Sequence, residues 1–95
     1  MAAYELMYIL KPDLGEEQLS ADIERFNGVI SQQNGTVEKV DKWGRRKLAY
    51  EINGHNEGFY VLVDFEGSGE ISNELTRVLK ISDDVIRSIV VRKDA

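Results

Sequence analysis

The chain has 95 residues, 42% of them hydrophobic and 31% charged, with no cysteine and a formal net charge of -5. This is the composition of a globular protein, and at that length one domain buries roughly two-thirds of its unfolded surface unaided. Disulfides, thiolate catalysis and cysteine zinc sites are excluded, no stretch approaches a membrane span, and Met-Ala-Ala-Tyr-Glu-Leu is no signal sequence, so a single soluble intracellular domain over 1–95 is expected.

Tyr4, Leu6, Tyr8 and Leu10 alternate with Glu5, Met7, Ile9 and Lys11, which predicts a strand ending at Pro12. Asp13, three residues before Glu16, suits a helix cap followed by an acidic first turn. Leu19, Ile23, Phe26 and Ile30 then recur at three- and four-residue steps, the apolar stripe of a helix that Asn34-Gly35 stops. Thr36 to Val40 opens a second strand whose alternation breaks and resumes at Leu48, Tyr50 and Ile52, which predicts a bulged or two-part strand. The turn residues Asn53 to Gly58 lead into a hairpin partner over Phe59 to Glu66. After Gly67-Ser68-Gly69, Ile71, Leu75, Val78 and Leu79 mark a shorter helix to about Lys80, and Val85 to Lys93 follows a turn at Ser82-Asp83-Asp84 as the last strand. The order βαββαβ implies an α+β ferredoxin-like plait: a four-stranded antiparallel sheet with two helices on one face.

Charge is concentrated in one place. Lys39, Lys42, Arg45, Arg46 and Lys47 stand against Asp41 alone, a local balance of +4, so the remainder of a chain totalling -5 carries -9. A local cation cluster on an acidic protein points to a polyanion met there and avoided elsewhere. Trp43 and Gly44 lie inside the cluster, and an aromatic beside arginines can stack on a base or sugar. The alternative for the cations is protection of an edge strand against pairing with other sheets.

The sheet face away from the helices is the second feature. With Leu6, Tyr8, Leu10, Val61, Val63 and Phe65 turned to the helices, the open face displays Met7, Ile9, Tyr60 and Leu62, joined by Ile89 and Val91 if Ser88 and Val90 point inward. Contiguous apolar surface of this kind marks an interface, unless the basic side chains of the second strand fold over it or it is simply tolerated.

Trp43-Gly44-Arg45-Arg46-Lys47-Leu48-Ala49-Tyr50-Glu51-Ile52, on the second strand of a βαββαβ chain, resembles the bacterial small-subunit ribosomal protein S-six family. Tyr4-Glu5-Leu6, Val37-Glu38-Lys39-Val40 and Val90-Val91-Arg92 extend the likeness over almost the whole chain. The resemblance implies a structural component of the cytoplasmic ribosome that binds the central domain of 16S ribosomal RNA, in the platform, together with ribosomal protein S-eighteen. It adds Arg87 and Arg92 to Arg45 and Arg46 as candidate phosphate contacts. It makes the apolar face the candidate seat of the protein partner. Neither cofactor, metal, small-molecule substrate nor membrane enters this picture, and the isolated protein is expected to be a monomer. Some members carry a longer carboxyl-terminal tail than one stopping at Ala95, and contacts made by such a tail are not carried over. The overall acidity fits an RNA footprint that is a small share of the surface, with a basic partner supplying much of the affinity.

Other functions find less support. Acylphosphatases share the plait, but Lys11-Pro12-Asp13-Leu14-Gly15 has neither the arginine nor the glycine-rich cradle that their chemistry needs. A ligand-sensing regulatory module would need an oligomeric interface, which the apolar face permits and nothing specific favours. His55 reads as a solvated turn residue, Asp83-Asp84 as a turn, and Glu16, Glu17, Asp22 and Glu24 as the solvated face of the first helix.

Overall fold

The structure is a computed structural model and describes residues 2–52 and 54–93. Six elements follow in order: β1 (Ala2–Leu10), α1 (Glu16–Gln32), β2 (Thr36–Ile52), β3 (His55–Gly67), α2 (Gly69–Ile81) and β4 (Val85–Arg92). The strands form one antiparallel sheet in the order β2-β3-β1-β4, the plait expected from the sequence. β1 and β3 are central, and β2 and β4 are the edges.

The alternating faces of β1 and β3 organise the core. Leu6, Tyr8, Leu10, Val61, Val63 and Phe65 are buried against Ile23, Phe26 and Ile30 of α1 and Ile71, Leu75 and Leu79 of α2, so both helices cover the same side of the sheet. Tyr8 meets Phe26 edge-on at 5.1 Å between ring centroids, and Tyr4 stacks on Phe65 at 5.3 Å. Each fully buried side chain of this size contributes about 1.5–3 kcal/mol relative to exposure.

Asp13 is not the cap of α1. The N-cap is Gly15, in extended conformation, and no side chain bonds the first turn; Leu19 N donates to Gly15 O at 3.0 Å, while Glu16 and Glu17 face the positive end of the helix dipole. The other end follows the sequence: Asn34 has φ 64, Asn34 N donates to Ser31 O and Gly35 N donates to Ile30 O, a Schellman closure.

β2 is one strand carrying three irregularities rather than two strands, the last of them between Lys47 and Ile52. Its register on β3 shifts between Val37 and Lys39 and again between Lys42 and Gly44, leaving Glu38 and Trp43 as extra residues, and Gly44 adopts φ 84. Of the expected turn, residues 55–58 belong to β3, so His55 is a half-buried strand residue and not a solvated loop one. Ile52 pairs with His55, which confines the turn to two positions, and Gly54 adopts φ 81; Asn53 lies outside the described residues.

Candidate nucleic-acid and protein interface

Residues directly opposite one another in a ladder share a face. On the open face the register therefore aligns Lys39, Asp64, Glu5 and Val91 in one row, Asp41, Leu62, Met7 and Ile89 in the next, and Gly44, Tyr60, Ile9 and Arg87 in a third. The six apolar residues read as a partner face, Met7, Ile9, Tyr60, Leu62, Ile89 and Val91, do lie on one surface. Ile89 and Val91 are 46% and 48% exposed, and Met7, Tyr60 and Leu62 are half-buried.

Ile9 departs from the expectation of exposure. It is 2% exposed although it points away from the helices, because the tip of the β2–β3 hairpin bends over the sheet. Leu48, Ala49, Tyr50 and Ile52 from the tip enclose, with Met7, Ile9, Tyr60, Arg87 and Ile89, a cavity of about 150 Å³. Arg87 Nη1 donates to Tyr50 Oη at 2.8 Å, joining the hairpin to β4 on the far edge. The end of the face at Ile9 is covered by Leu48, Ala49, Tyr50 and Ile52 of the second strand rather than by its basic residues, and the remainder stays open. Gly58 lies under the same corner and is held to glycine by contact, since a Cβ there would overlap Ile9 Cγ2.

The basic run does not form one patch. Lys39 and Arg46, opposite Asp64 and Gly58, belong to the open face, whereas Lys42, Arg45 and Lys47, opposite Val61, Phe59 and Glu57, belong to the helix side. Lys39 is ion-paired to Asp41 at 3.4 Å, and Lys42 borders a groove with Glu16, Glu17 and Glu24 of α1. Arg45 Nη2 donates to Pro12 O at 2.7 Å and so ties β2 to the β1–α1 loop. Arg87 reaches the open face, and Arg92, opposite Tyr4, is exposed on the helix side of β4.

Trp43 is 46% exposed and occupies a bulge. Its ring lies 6.4 Å from that of Tyr60 and within 14° of parallel, and the Arg46 guanidinium carbon is 5.3 Å from the Trp43 ring centroid. Cation and rings hold one another in place at the rim of the open face. The alternation of β3 identifies Tyr60 as an open-face residue, yet nothing local in the sequence announces that it backs Trp43, nor that Tyr50 meets Arg87.

Negative charge has its own location. Glu5, Asp64 and Glu66 crowd the end of the open face opposite to the hairpin, with Lys93 paired to Asp64 at 3.4 Å. A shared hydrogen bond and charge repulsion from Glu66 raise the Glu38 carboxyl above its ordinary pKa. Asp22 corrects the solvated-face reading of α1, since it is 3% exposed. Burial first, then the neighbouring Asp84 carboxyl, pushes its pKa up to about 6. Tyr8, whose hydroxyl is buried without a partner, is likewise raised by burial and by the Asp22 charge. Among the described residues no cluster of three or more His, Cys, Asp or Glu side chains could hold a metal ion. No helix among them is long and apolar enough to cross a membrane.

Residues 3–92 match the family model described as Ribosomal protein S6. The chain is 52% identical over 91 residues to the small ribosomal subunit protein bS6 of Carboxydothermus hydrogenoformans, covering 96% of this chain and 95% of that protein. It is 51% identical over 94 residues to bS6 of Clostridium novyi, covering 99% of each. In structure it resembles the 30S ribosomal protein S6 from Thermotoga maritima, with a TM-score of 0.92 and 33% identity over 97% of this chain and 87% of that one.

Proposed function

The chain belongs to the ribosomal protein S6 family, a structural protein of the bacterial small ribosomal subunit in the cytoplasm and not an enzyme, and from that premise we propose that it binds 16S ribosomal RNA and ribosomal protein S-eighteen side by side. The RNA would meet the β2 edge and the protein the open sheet face, in the central domain of the RNA that forms the platform. The isolated chain is read as one domain and a monomer.

The observation that carries this reading is the Trp43 bulge. It sets an exposed indole, braced by Tyr60 and Arg46, between cations that lie on both sides of one edge strand. An aromatic held in this way can stack on an unpaired base, and cations on two sides can reach phosphates on either side of it. The acidic end of the open face repels RNA and suits a basic protein, and exposed Ile89 and Val91 beside it offer apolar contact. Neighbouring footprints account for an acidic protein working on RNA: the RNA contact is confined to one border, and the protein partner supplies the rest of the affinity.

The test is to mix the protein with a central-domain RNA fragment at two salt concentrations, with and without purified S-eighteen. Weak, salt-sensitive binding that strengthens when S-eighteen is added is expected. Equal indifference to RNA and to S-eighteen, from a folded protein, would overturn the proposal.

A further inference from the structure

We propose that the hairpin tip, residues 48–52, is a displaceable strap that occupies part of the open sheet face and must lift before a protein partner seats fully there. The inference rests on the reading of that face as the seat of a basic protein. It adds an internal competitor.

Three observations carry it. The first is reach. β2 and β4 are opposite edges of the sheet, so the hydrogen bond from Arg87 to Tyr50 requires the hairpin to arch over β3 and β1. The second is what the arch hides: Ile9, an apolar side chain on the open face, is 2% exposed beneath it, while Ile89 and Val91 farther along the same face stay about half exposed.

The third is how lightly the arch is held. Ladder pairing between β2 and β3 stops at Lys47–Glu57 and resumes only at Ile52–His55, a cavity of about 150 Å³ remains under the strap, and Tyr50 is 62% exposed while making its bond. Few buried contacts and an interrupted ladder place the segment at the low-stability end of the fold, where opening costs little. A partner that binds only the open form has its apparent affinity reduced by the fraction of molecules that are open.

The occupant is argued to be protein rather than RNA from the chemistry of the face that the strap borders. Ile89, Val91, Met7 and Leu62 offer apolar contact, and at the end of the face that holds Val91 the carboxylates Glu5, Asp64 and Glu66 outnumber the Lys93 paired to Asp64, which disfavours phosphate. Lifting the strap adds Ile9 to the apolar area and releases the Arg87 guanidinium from Tyr50. Because Arg45, Arg46 and Lys47 immediately precede the strap, the segment that yields to the protein is continuous with the one proposed to meet RNA.

The experiment compares three proteins for binding to purified S-eighteen in the presence of the central-domain RNA fragment: the unaltered chain, Tyr50→Phe, and a variant in which Asn-Gly replaces residues 48–56. The Lys47–Glu57 pair already closes a ladder rung from which a two-residue turn can be built. Loss of one hydrogen bond in Tyr50→Phe is expected to tighten binding about 2- to 10-fold, and removal of the strap to tighten it at least as much. Unchanged or weaker binding by both variants overturns the strap, because the tip would then be neutral or part of the interface. A gain for RNA alone with none for S-eighteen overturns it too. If even the unaltered chain fails to bind, the partner reading itself falls, so the binding of the unaltered chain tests that reading and the ratio between proteins tests the strap.

Discussion

The carboxyl groups of Asp22 and Asp84 are bridged by one amide: Gln18 Nε2 donates to Asp22 Oδ1 at 3.1 Å and to Asp84 Oδ2 at 3.1 Å. The bridge fastens α1 to the turn before β4. Asp22 Oδ2 is buried without a partner, and Arg25 is the nearby cation that offsets part of the burial cost.

Stability should therefore fall as the pH rises through that site. The folded-state pKa of Asp22, about 6, lies above its unfolded value of 3.8, so between the two the native state holds more protons and is favoured by acid. The contribution is fully present below about pH 4 and lost above about pH 6, with a magnitude of about 2–3 kcal/mol. Asp22→Asn should raise the denaturation midpoint at pH 7 and flatten its change between pH 4 and pH 7. A midpoint that changes with pH in Asp22→Asn as it does in the unaltered chain would refute the assignment.

Arg45 and Arg46 point to opposite sides of one strand, so their effects on RNA binding should be separable. Each single alanine variant is expected to lower the slope of log affinity against log salt by about one unit, and the double variant by about two. Stability should barely change, because the Arg45 bond to Pro12 O is exposed and the contact of Arg46 with Trp43 is at the surface. An unchanged slope in either single variant removes that arginine from the RNA contacts.

Leu62 and Val63 are neighbours on opposite faces of β3, and glutamate at the two positions should have opposite consequences. Leu62→Glu lies on the open face, between Asp41 and Met7, and is expected to unfold cooperatively within about 1 kcal/mol of the unaltered chain while losing the protein partner. Val63 is 0% exposed, and Val63→Glu should not fold at neutral pH, since an unpaired charge would enter the core. Circular dichroism and urea unfolding distinguish the two.

Gly58→Ala should destabilise the fold by about 1–3 kcal/mol, because the added methyl would occupy the position of Ile9 Cγ2 and force that side chain aside. In a domain of this size the expected fall in Tm is at least several degrees. An unchanged Tm would mean that Ile9 has room to move, and with it the strap above.

Most of the fold was legible because the core obeys two simple periods. The alternation from Tyr4 to Leu10 and from Phe59 to Phe65, and the 3–4 spacing from Leu19 to Ile30, each report a face buried against one neighbour. The cap of α1 was misplaced because Gly15 caps through its backbone and leaves no side-chain signature. Asp22 was misread because its helical position looks solvated, and only the packing of the β4 turn against α1 encloses it. At the candidate interface the residue types were readable and their grouping was not. Two bulges in β2 decide which cations share a side, and the contact between Tyr50 and Arg87 joins residues 37 positions apart on opposite edges of the sheet.

The position of β1 in the middle of the sheet has a consequence for how the molecule is made. Leu6 pairs with Val63 on one side and with Val90 on the other, so β1 gains its two ladder neighbours only through closures across 57 and 84 positions of chain. Until both closures form, Tyr4, Leu6, Tyr8 and Leu10 of β1 stay incompletely buried, and non-local closures of this kind are intrinsically slow. The interval in which the folding chain is vulnerable to mispairing is thus set by strand order, and a circular permutant that brings β1 and β4 together in sequence should shorten it.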